Sequence, residues 1–301
     1  MKAITVRLDD GGLDGLLKRV RVGQELGFEK FDLCICSPQT ALGRIVTALR
    51  EHHVSVCAVR LREHRHAAIV TRKPGYAKLG ALDEAIARRS GEMVIQTAEQ
   101  LAPARPEFAV LEGGYVQAPA LNERLLQLDE LLDCDECEDT RKAHLADVVK
   151  IDRDTVDRQL DQFCRNLHAV AKGVAPMEVC LLPPDNPFGL LQADNMQHVF
   201  DDLGGRNIGY WHCTSNVAIL RKLGGMPEGE WIERFAPRLK GVYLEDMLGG
   251  HGEQAPGLGE IDFQQLAPEL ARATVRVMVV DDDKGTKLRF GSDYLSSVGI
   301  F

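Results

Sequence analysis

The alternation of two hydrophobic periods constrains the fold of this chain more than any other feature. Short apolar runs rich in β-branched residues are separated by longer segments in which apolar residues recur every three or four positions. The first pattern is typical of buried strands and the second of amphipathic helices, and their alternation indicates βα units around a parallel sheet. We predict eight strands, over Ala3–Leu8, Phe31–Cys36, Val54–Leu61, Phe108–Leu111, Met177–Leu182, Ile208–His212, Gly241–Leu244 and Val275–Val280.

Helical periodicity fills most of the intervals between these strands. It is weakest in residues 61–81 and 92–107, where we predict irregular structure. Gly27 and Gly173 follow two of the helical segments, as glycines that end helices do. The predicted helices cover Leu13–Leu26, Leu42–His52, Ala81–Arg89, Leu121–Leu132, Thr155–Lys172, Gln192–Leu203 and Phe263–Ala273.

Eight strands with intervening helices in 301 residues predict an α/β fold of the (β/α)8 TIM barrel type. An open doubly wound sheet is the main alternative. Its glycine fingerprint would follow the first strand, where residues 10–15 read DGGLDG and match it poorly. No linker rich in Pro, Gly or Ser divides the chain, so we predict one domain over residues 1–301.

Charge and composition narrow the range of partners. The chain has 36 basic and 45 acidic residues, and this excess of negative charge repels a polyphosphate backbone and disfavours nucleic acid. The N-terminal sequence MKAITVRLDD has no secretory or transit pattern, and no stretch approaches the roughly 18 apolar residues that a membrane span needs. We therefore predict a cytoplasmic protein with a small-molecule substrate, no nucleic-acid partner and no membrane, and we leave a homo-oligomer open.

The cysteines do not form a framework. Eight of them are scattered through strand-like and helix-like segments, as reduced and mostly buried thiols are. Cys134 and Cys137 have C-x-x-C spacing, but no second pair follows and the neighbouring residues are acidic, which argues against a zinc or redox site there.

The stretch GVYLEDMLGGHGEQAPGLGEIDF, residues 241–263, follows the seventh predicted strand. In a TIM barrel, chemistry takes place at the carboxyl ends of the strands. Asp246 follows this strand, and His251 lies in a glycine-rich loop. Gly257 and Gly259 precede Asp262, which is placed to cap the next helix. The glycines let the backbone turn and lie close over a substrate, or they only shape the turn.

This layout resembles the seventh βα unit of the xylose isomerase-like TIM barrels, the superfamily of sugar isomerases, sugar phosphate epimerases and endonuclease-four-like enzymes. The matching residues are Gly257, Gly259, Ile261, Asp262 and Phe263. The resemblance implies a sugar or sugar phosphate isomerase or epimerase that acts on a small hydroxy-carbonyl substrate. An endonuclease-like activity would need a three-metal cluster and a basic face, which the sequence lacks.

The resemblance also implies one divalent metal, held by Glu, Asp, His and Glu at the ends of strands five to eight. Here we place Pro183, His212 and Tyr243 at the first three positions, and only Asp281 keeps a carboxylate at the fourth. A rearranged site for zinc, manganese or iron would use His212, His251, Asp246 and Asp281. The alternative is a metal-free or non-catalytic barrel that binds a metabolite.

The remaining candidate residues also follow predicted strands. Glu112, Asp246 and Asp281 are the candidates for acid–base catalysis in an isomerase. Arg60 and Arg62 share a strand face and are placed either to clamp an anionic substrate or to form ion pairs within a loop. The full set of candidates for substrate binding is His212, Tyr243, Arg60, Arg62, Gly257 and Gly259.

Overall fold

The computed structural model describes residues 1–8, 12–35, 42–62, 75–133, 145, 148–204, 207–280 and 285–301. Eight parallel strands close into a barrel, and helices lie between them, so the predicted (β/α)8 TIM barrel is confirmed. Two further strands form an antiparallel hairpin outside the barrel. The barrel strands are β1 (Lys2–Leu8), β2 (Lys30–Ile35), β3 (Ser55–Leu61), β4 (Phe108–Glu112), β5 (Glu178–Leu182), β6 (Ile208–Cys213), β7 (Leu239–Leu244) and β10 (Val275–Met278), and the hairpin strands are β8 (Asp246–Leu248) and β9 (His251–Gln254).

The helices surround this barrel. Predicted boundaries agree to within a few residues for most of them, because the 3.6-residue pattern fixes which face is buried. None of the described helices combines the length and the apolar composition that crossing a lipid bilayer requires. The α-helices are α1 (Gly12–Glu25), α2 (Leu42–Glu51), α3 (Glu84–Leu101), α4 (Leu121–Asp133), α5 (Arg153–Gly173), α6 (Ala193–Asp202), α7 (Thr214–Lys222), α8 (Glu228–Phe235), α9 (Phe263–Leu270) and α10 (Thr286–Ser297).

The prediction for α3 was wrong in its extent. A helix was predicted to stop at Arg89 and irregular structure to begin at residue 92, but α3 runs on to Leu101. Its buried positions Ala87, Val94 and Ala98 keep helical spacing, and the helix contacts α5. Of the other segment predicted to be irregular, residues 63–74 lie outside the described residues.

Three helices and the hairpin were not predicted. Helices α7 and α8 are short, with nine and eight residues, and follow each other between β6 and β7. Helix α10 closes the chain after the last barrel strand. The hairpin strands have only three and four residues, too few for an alternating pattern to stand out in sequence.

Side chains of alternate strand residues fill the barrel interior. On β6, for example, Trp211 and Cys213 belong to the inner cluster, while Tyr210 packs in the outer core against Phe235 of α8. Gly241 makes room for the Trp211 ring, since a Cβ there would lie 2.5 Å from it. The inner cluster contains Ala3, Cys57, Ala58, Phe108, Val110, Cys180, Leu182, Trp211, Cys213, Tyr243, Val275, Val277 and Val279.

Candidate active site

Charged side chains converge at the carboxyl ends of the barrel strands, a region that we call the mouth. Arg60 is the penultimate residue of β3, and Arg62 directly follows the strand on the same face. Both side chains are buried, and both guanidinium groups approach Glu112 Oε1 at the end of β4, at 3.5 Å from Arg60 and 3.6 Å from Arg62. Glu112 itself is half-buried. The two arginines thus share the Glu112 carboxyl group.

Parts of both guanidinium groups have no partner among the described residues. Arg60 Nε and Arg62 Nη2 are buried and make no hydrogen bond to the part of the chain that the structure describes. Burial opposes the charge on Arg60, but Glu112 and Glu245 outweigh this effect and raise its pKa above the ordinary value. Arg60 therefore stays cationic at the mouth, and its Nε–H group is available to donate a hydrogen bond to a ligand.

Glu253 of the hairpin reaches across the mouth. Its Oε1 lies 2.8 Å from Arg62 Nη1, and its Oε2 lies 2.9 Å from Arg7 Nη2 on β1. One carboxyl group therefore connects two arginines from different barrel strands. Such ion pairs are worth more than exposed ones, because burial of the Arg62 side chain limits screening by water.

A polar column lies directly beneath Arg60. The Arg60 guanidinium stands 4.7 Å from the centre of the Tyr243 ring, and the Tyr243 hydroxyl donates to Asp32 Oδ1 at 3.1 Å. Thr5 donates to Asp32 Oδ2 at 2.8 Å. Burial raises the pKa of Asp32 to about 7, and Cys34 adds to this effect. Tyr243, predicted to bind substrate, therefore supports Arg60 from inside the barrel and is itself fully buried.

Glu245 follows β7 and is also fully buried. The Cys213 thiol donates to Glu245 Oε1 at 2.8 Å, whereas Glu245 Oε2 has no hydrogen-bond partner among the described residues. Burial, with the neighbouring Glu245, raises the pKa of Cys213 well above its ordinary value, so the thiol keeps its proton. Thr214 fixes the backbone of Glu245, since its hydroxyl donates to the Glu245 carbonyl at 2.6 Å and accepts from the Glu245 N–H at 3.1 Å.

Asp246, predicted as a catalytic and metal-binding residue, anchors the glycine-rich loop instead. Its Oδ1 accepts from the N–H groups of Met247 and Ile261, and its Oδ2 accepts from those of Gly257 and Gly259, all at 2.8–3.0 Å. The side chain is fully buried. With four donors around it, this carboxyl group has little capacity left for a substrate or a metal.

The two glycines fit this anchoring role. Gly257 has a φ of +87°, which favours glycine, and a Cβ at Gly259 would lie 2.5 Å from Asp246 Oδ1. Both residues therefore let the loop close on Asp246, and their placement over a substrate stays a prediction. Their described contacts are with this carboxyl group, through their backbone N–H groups.

His212, predicted to bind substrate and metal, lies on the outer side of β6. Its Nδ1 is 2.7 Å from the Tyr210 hydroxyl, and Tyr210 packs against Phe235 of a surrounding helix. Burial lowers the pKa of His212 to about 3, so the ring is neutral. The prediction set the register of this strand one residue off, because Cys213 and not His212 points into the barrel.

The predicted metal ligands are not brought together. Besides Asp246 and His212, the set included His251, which is exposed at the start of β9, and Asp281, which lies outside the described residues. No group of three His, Cys, Asp or Glu side chains in the described part of the chain is arranged to hold a metal ion. The structure thus does not support the rearranged metal site.

The strand ends where the resemblance places a metal carry different chemistry. The inward residues there are Leu182 on β5, Cys213 on β6, Tyr243 on β7 and Val279 after β10, all at most 1% exposed and packed in one cluster. Leu182, not Pro183, occupies the inward position on β5. Leucine and valine side chains offer no ligand atom, so the described inward residues at these strand ends do not form a set of ligands for a divalent metal.

Comparison with known proteins supports the fold. No protein-family model matches the sequence, and no curated protein matches it. Among solved structures, the 3-keto-D-glucoside 4-epimerase YcjR of E. coli aligns with a TM-score of 0.66 and 14% identity over 99% of both chains. A D-tagatose 3-epimerase-like protein aligns with a TM-score of 0.68 and 12% identity over 99% of this chain and 97% of its own. A xylose isomerase domain protein of Planctomyces limnophilus aligns with a TM-score of 0.64 and 12% identity over 98% and 95%.

These similarities place the chain in one fold class. It has the fold of the xylose isomerase-like TIM barrels, as the stretch 241–263 predicted. At these identities the likeness shows the fold alone. The residues at the mouth must carry any argument about what the chain binds.

Several residues of the mouth were not predicted as site residues. Asp32 was the most accessible to prediction, since an acidic residue in the apolar run FDLCI is unusual for a buried strand. Arg7 is likewise a charged residue in a mostly apolar strand, near the end of β1. The sequence contains no such signal for Glu253, because the role of this residue depends on a hairpin that the sequence pattern does not reveal.

Proposed function

We propose that this barrel binds a small hydroxy-carbonyl compound of the sugar class at its mouth, and that it does so without a divalent metal. The observation that carries the proposal is the pair of buried arginines, Arg60 and Arg62, whose unpartnered N–H groups lie beside strand ends closed by apolar residues. A buried cation needs compensating partners, and a bound ligand oxygen supplies them.

The arginines can polarise a substrate carbonyl group electrostatically, as a divalent metal does in other isomerases. In a metal-dependent isomerase, the ion draws electron density toward the carbonyl oxygen of the substrate. A guanidinium group does the same when its donors are fixed and removed from bulk water. Arg60 is fixed from below by Tyr243 and from the side by Glu112, so its position changes little when a ligand arrives.

Isomerisation or epimerisation is the catalytic form of this proposal. The observation that favours it is the unpartnered Oε2 of Glu245, a buried carboxyl oxygen close enough to Arg60 to raise the pKa of the guanidinium. In this scheme Glu245 removes a proton from the carbon next to the carbonyl, and the electron pair moves to the carbonyl oxygen beside Arg60. Delivery of a proton to the opposite face of the same carbon gives the epimer. Delivery of the proton to the former carbonyl carbon, with transfer of the adjacent hydroxyl proton to the former carbonyl oxygen, gives the isomer.

Glu112 is the second carboxyl group available for this proton transfer. It is half-buried, so solvent reaches it, and it contacts both arginines. Of the other predicted acid–base residues, Asp246 is occupied with the loop, and Asp281 stays a prediction. We therefore assign the acid–base role to Glu245 and Glu112.

Binding and turnover are tested separately. Protein treated with a chelator is titrated calorimetrically with D-fructose, D-tagatose, D-glucose and D-glucuronate. We expect saturable binding of at least one sugar, and loss of at least about tenfold in affinity in Arg62→Met, as for removal of a buried charged hydrogen bond. Arg88→Met, which removes an exposed arginine of α3, is the matched control and should bind as the parent does.

Turnover is followed by NMR in D2O with the sugar that binds. An enolising enzyme exchanges the proton next to the carbonyl for deuterium, and Glu245→Gln should abolish the exchange while binding persists. Exchange at the parental rate in Glu245→Gln would show that this residue is not the base. If none of the sugars binds to folded parent protein, the proposed function is wrong.

A further inference from the structure

The carboxyl group of Glu253 is held as a bound anion would be held. Each of its oxygens faces a different guanidinium group, Oε1 that of Arg62 at 2.8 Å and Oε2 that of Arg7 at 2.9 Å. The two arginines come from β1 and from the end of β3, on the two sides of β2. The barrel thus presents a fixed pair of cations with the spacing of one planar carboxylate.

The residue that fills this pair belongs to a short hairpin outside the barrel sheet. Glu253 lies in the four-residue strand β9, outside the barrel sheet, and its φ of +68° is rare for a residue with a side chain. The turn of the hairpin, Gly249 and Gly250, also has positive φ angles. Glu253 therefore reaches the arginines from a strained backbone position on a small hairpin.

Displacement of Glu253 does not require the hairpin to open. Asp246 fixes the root of the hairpin through four backbone N–H groups, and Gly250 at its tip lies against Leu132 of α4. The Glu253 side chain is 26% exposed, so it can turn into solvent while the backbone stays in place. This rotation of the side chain separates the Glu253 carboxyl group from Arg7 and Arg62.

The charges of the described residues at the mouth favour replacement of the Glu253 carboxyl group by a ligand anion over addition of an anion beside it. Among the described residues, three arginines, at positions 7, 60 and 62, lie near three glutamates, at positions 112, 245 and 253. An extra anion would add a fourth carboxyl group to these six described residues, whose charges balance. When Glu253 moves into water as a ligand carboxylate arrives, the number of charges at the mouth stays the same.

We propose that Arg7 and Arg62 form a subsite for the carboxylate of a sugar acid, and that Glu253 is an internal carboxylate that occupies this subsite until the ligand displaces it. The inference rests on the proposed function and deepens it, since it names sugar acids as the substrate class. The hydroxy-carbonyl part of the ligand then lies toward Arg60 and Glu245. Glu253 lowers the affinity for sugar acids and leaves that for neutral sugars unchanged.

The test compares D-glucuronate with D-glucose, which differ in the carboxylate, in calorimetric titrations of four proteins. We expect Glu253→Gln to bind D-glucuronate at least about fivefold more tightly than the parent, because the competing charge is gone. D-Glucose affinity should not change. Arg62→Met should lose the preference for D-glucuronate. Glu233→Gln, which removes an exposed carboxyl group of α8, should behave as the parent.

The possible outcomes separate the two proposals. Equal or weaker D-glucuronate binding in Glu253→Gln, with both sugars still bound by the parent, overturns the displacement but leaves the proposed function in place. If Glu253→Gln binds D-glucose 6-phosphate more tightly than the parent does but does not bind D-glucuronate more tightly, the assignment of the subsite to carboxylates is overturned. Failure of the parent and every variant to bind D-glucuronate overturns the sugar-acid subsite, whereas the proposed function is overturned only if D-fructose, D-tagatose and D-glucose also fail to bind the parent. Glu253→Asn provides a second variant, because asparagine tolerates the left-handed backbone at this position.

Discussion

Replacing Asp32 with asparagine tests whether the carboxyl group inside the barrel is protonated near neutral pH. Burial raises the pKa of Asp32 to about 7 from an ordinary value of 3.8, while hydrogen bonds from Thr5 and Tyr243 oppose the shift. The folded protein therefore holds a proton that the unfolded chain releases. The contribution of Asp32 to stability is undiminished below the unfolded pKa and is lost as pH rises from about 4 through about 7.

The size of the effect follows from the two pKa values. Each pH unit between them costs about 1.4 kcal/mol of unfolding free energy, and the whole interval costs about 4 kcal/mol. Between pH 5 and pH 8, titration of this one group should lower the stability of the parent by about 2.5 kcal/mol. Asp32→Asn keeps the shape of the side chain but does not titrate, so its stability should lack this loss.

Urea unfolding of both proteins at pH 5, 6, 7 and 8 measures the difference directly. We expect Asp32→Asn to gain about 2.5 kcal/mol relative to the parent over this range, with most of the gain between pH 5 and pH 7. Other titrating groups contribute equally to both proteins and cancel. A difference in unfolding free energy between the two proteins that stays constant with pH would refute the reasoning.

Three further predictions concern residues that the structure places in supporting roles. Asp246→Ala should lower the unfolding free energy by about 3–5 kcal/mol, because four backbone N–H groups lose their acceptor, and chemical denaturation measures the loss. Gly259→Ala should destabilise by about 1–3 kcal/mol through contact with Asp246, whereas Gly43→Ala, at a helical glycine with open space around it, should not destabilise in the same assay. His212→Asn should lower the melting temperature yet leave sugar affinity unchanged in calorimetry, because the ring lies on the outer side of β6. A loss of sugar affinity without a loss of stability would show that His212 belongs to the binding site.

The barrel could be predicted because its signal is repeated. Each strand carries a short run of apolar residues and most helices carry a 3.6-residue pattern, so an error in one element does not alter the fold class. Where the repetition fails, prediction fails as well. Helix α7 is buried along nearly all its length and shows little amphipathic contrast, and the hairpin strands are too short for a period.

The site was less predictable than the fold, because its composition depends on the register of each strand and on the path of each loop. A shift of one residue on β6 exchanges Cys213 for His212 and moves an imidazole from the mouth to the outer core. Asp246 follows a strand as catalytic residues do, but only the path of the loop reveals its four donors. Arg60 and Arg62 were predicted from their alternation, which the period of a strand fixes, and the structure brings both to the mouth.

The central claim, that the mouth holds its ligand through arginines and without a divalent metal, is tested most directly by one titration. Protein stripped with EDTA is titrated with D-glucuronate, and the titration is repeated after addition of excess Mn²⁺ or Zn²⁺. We predict the same affinity in all three conditions and its loss in Arg62→Met. Binding that occurs only when the metal is present would contradict the account.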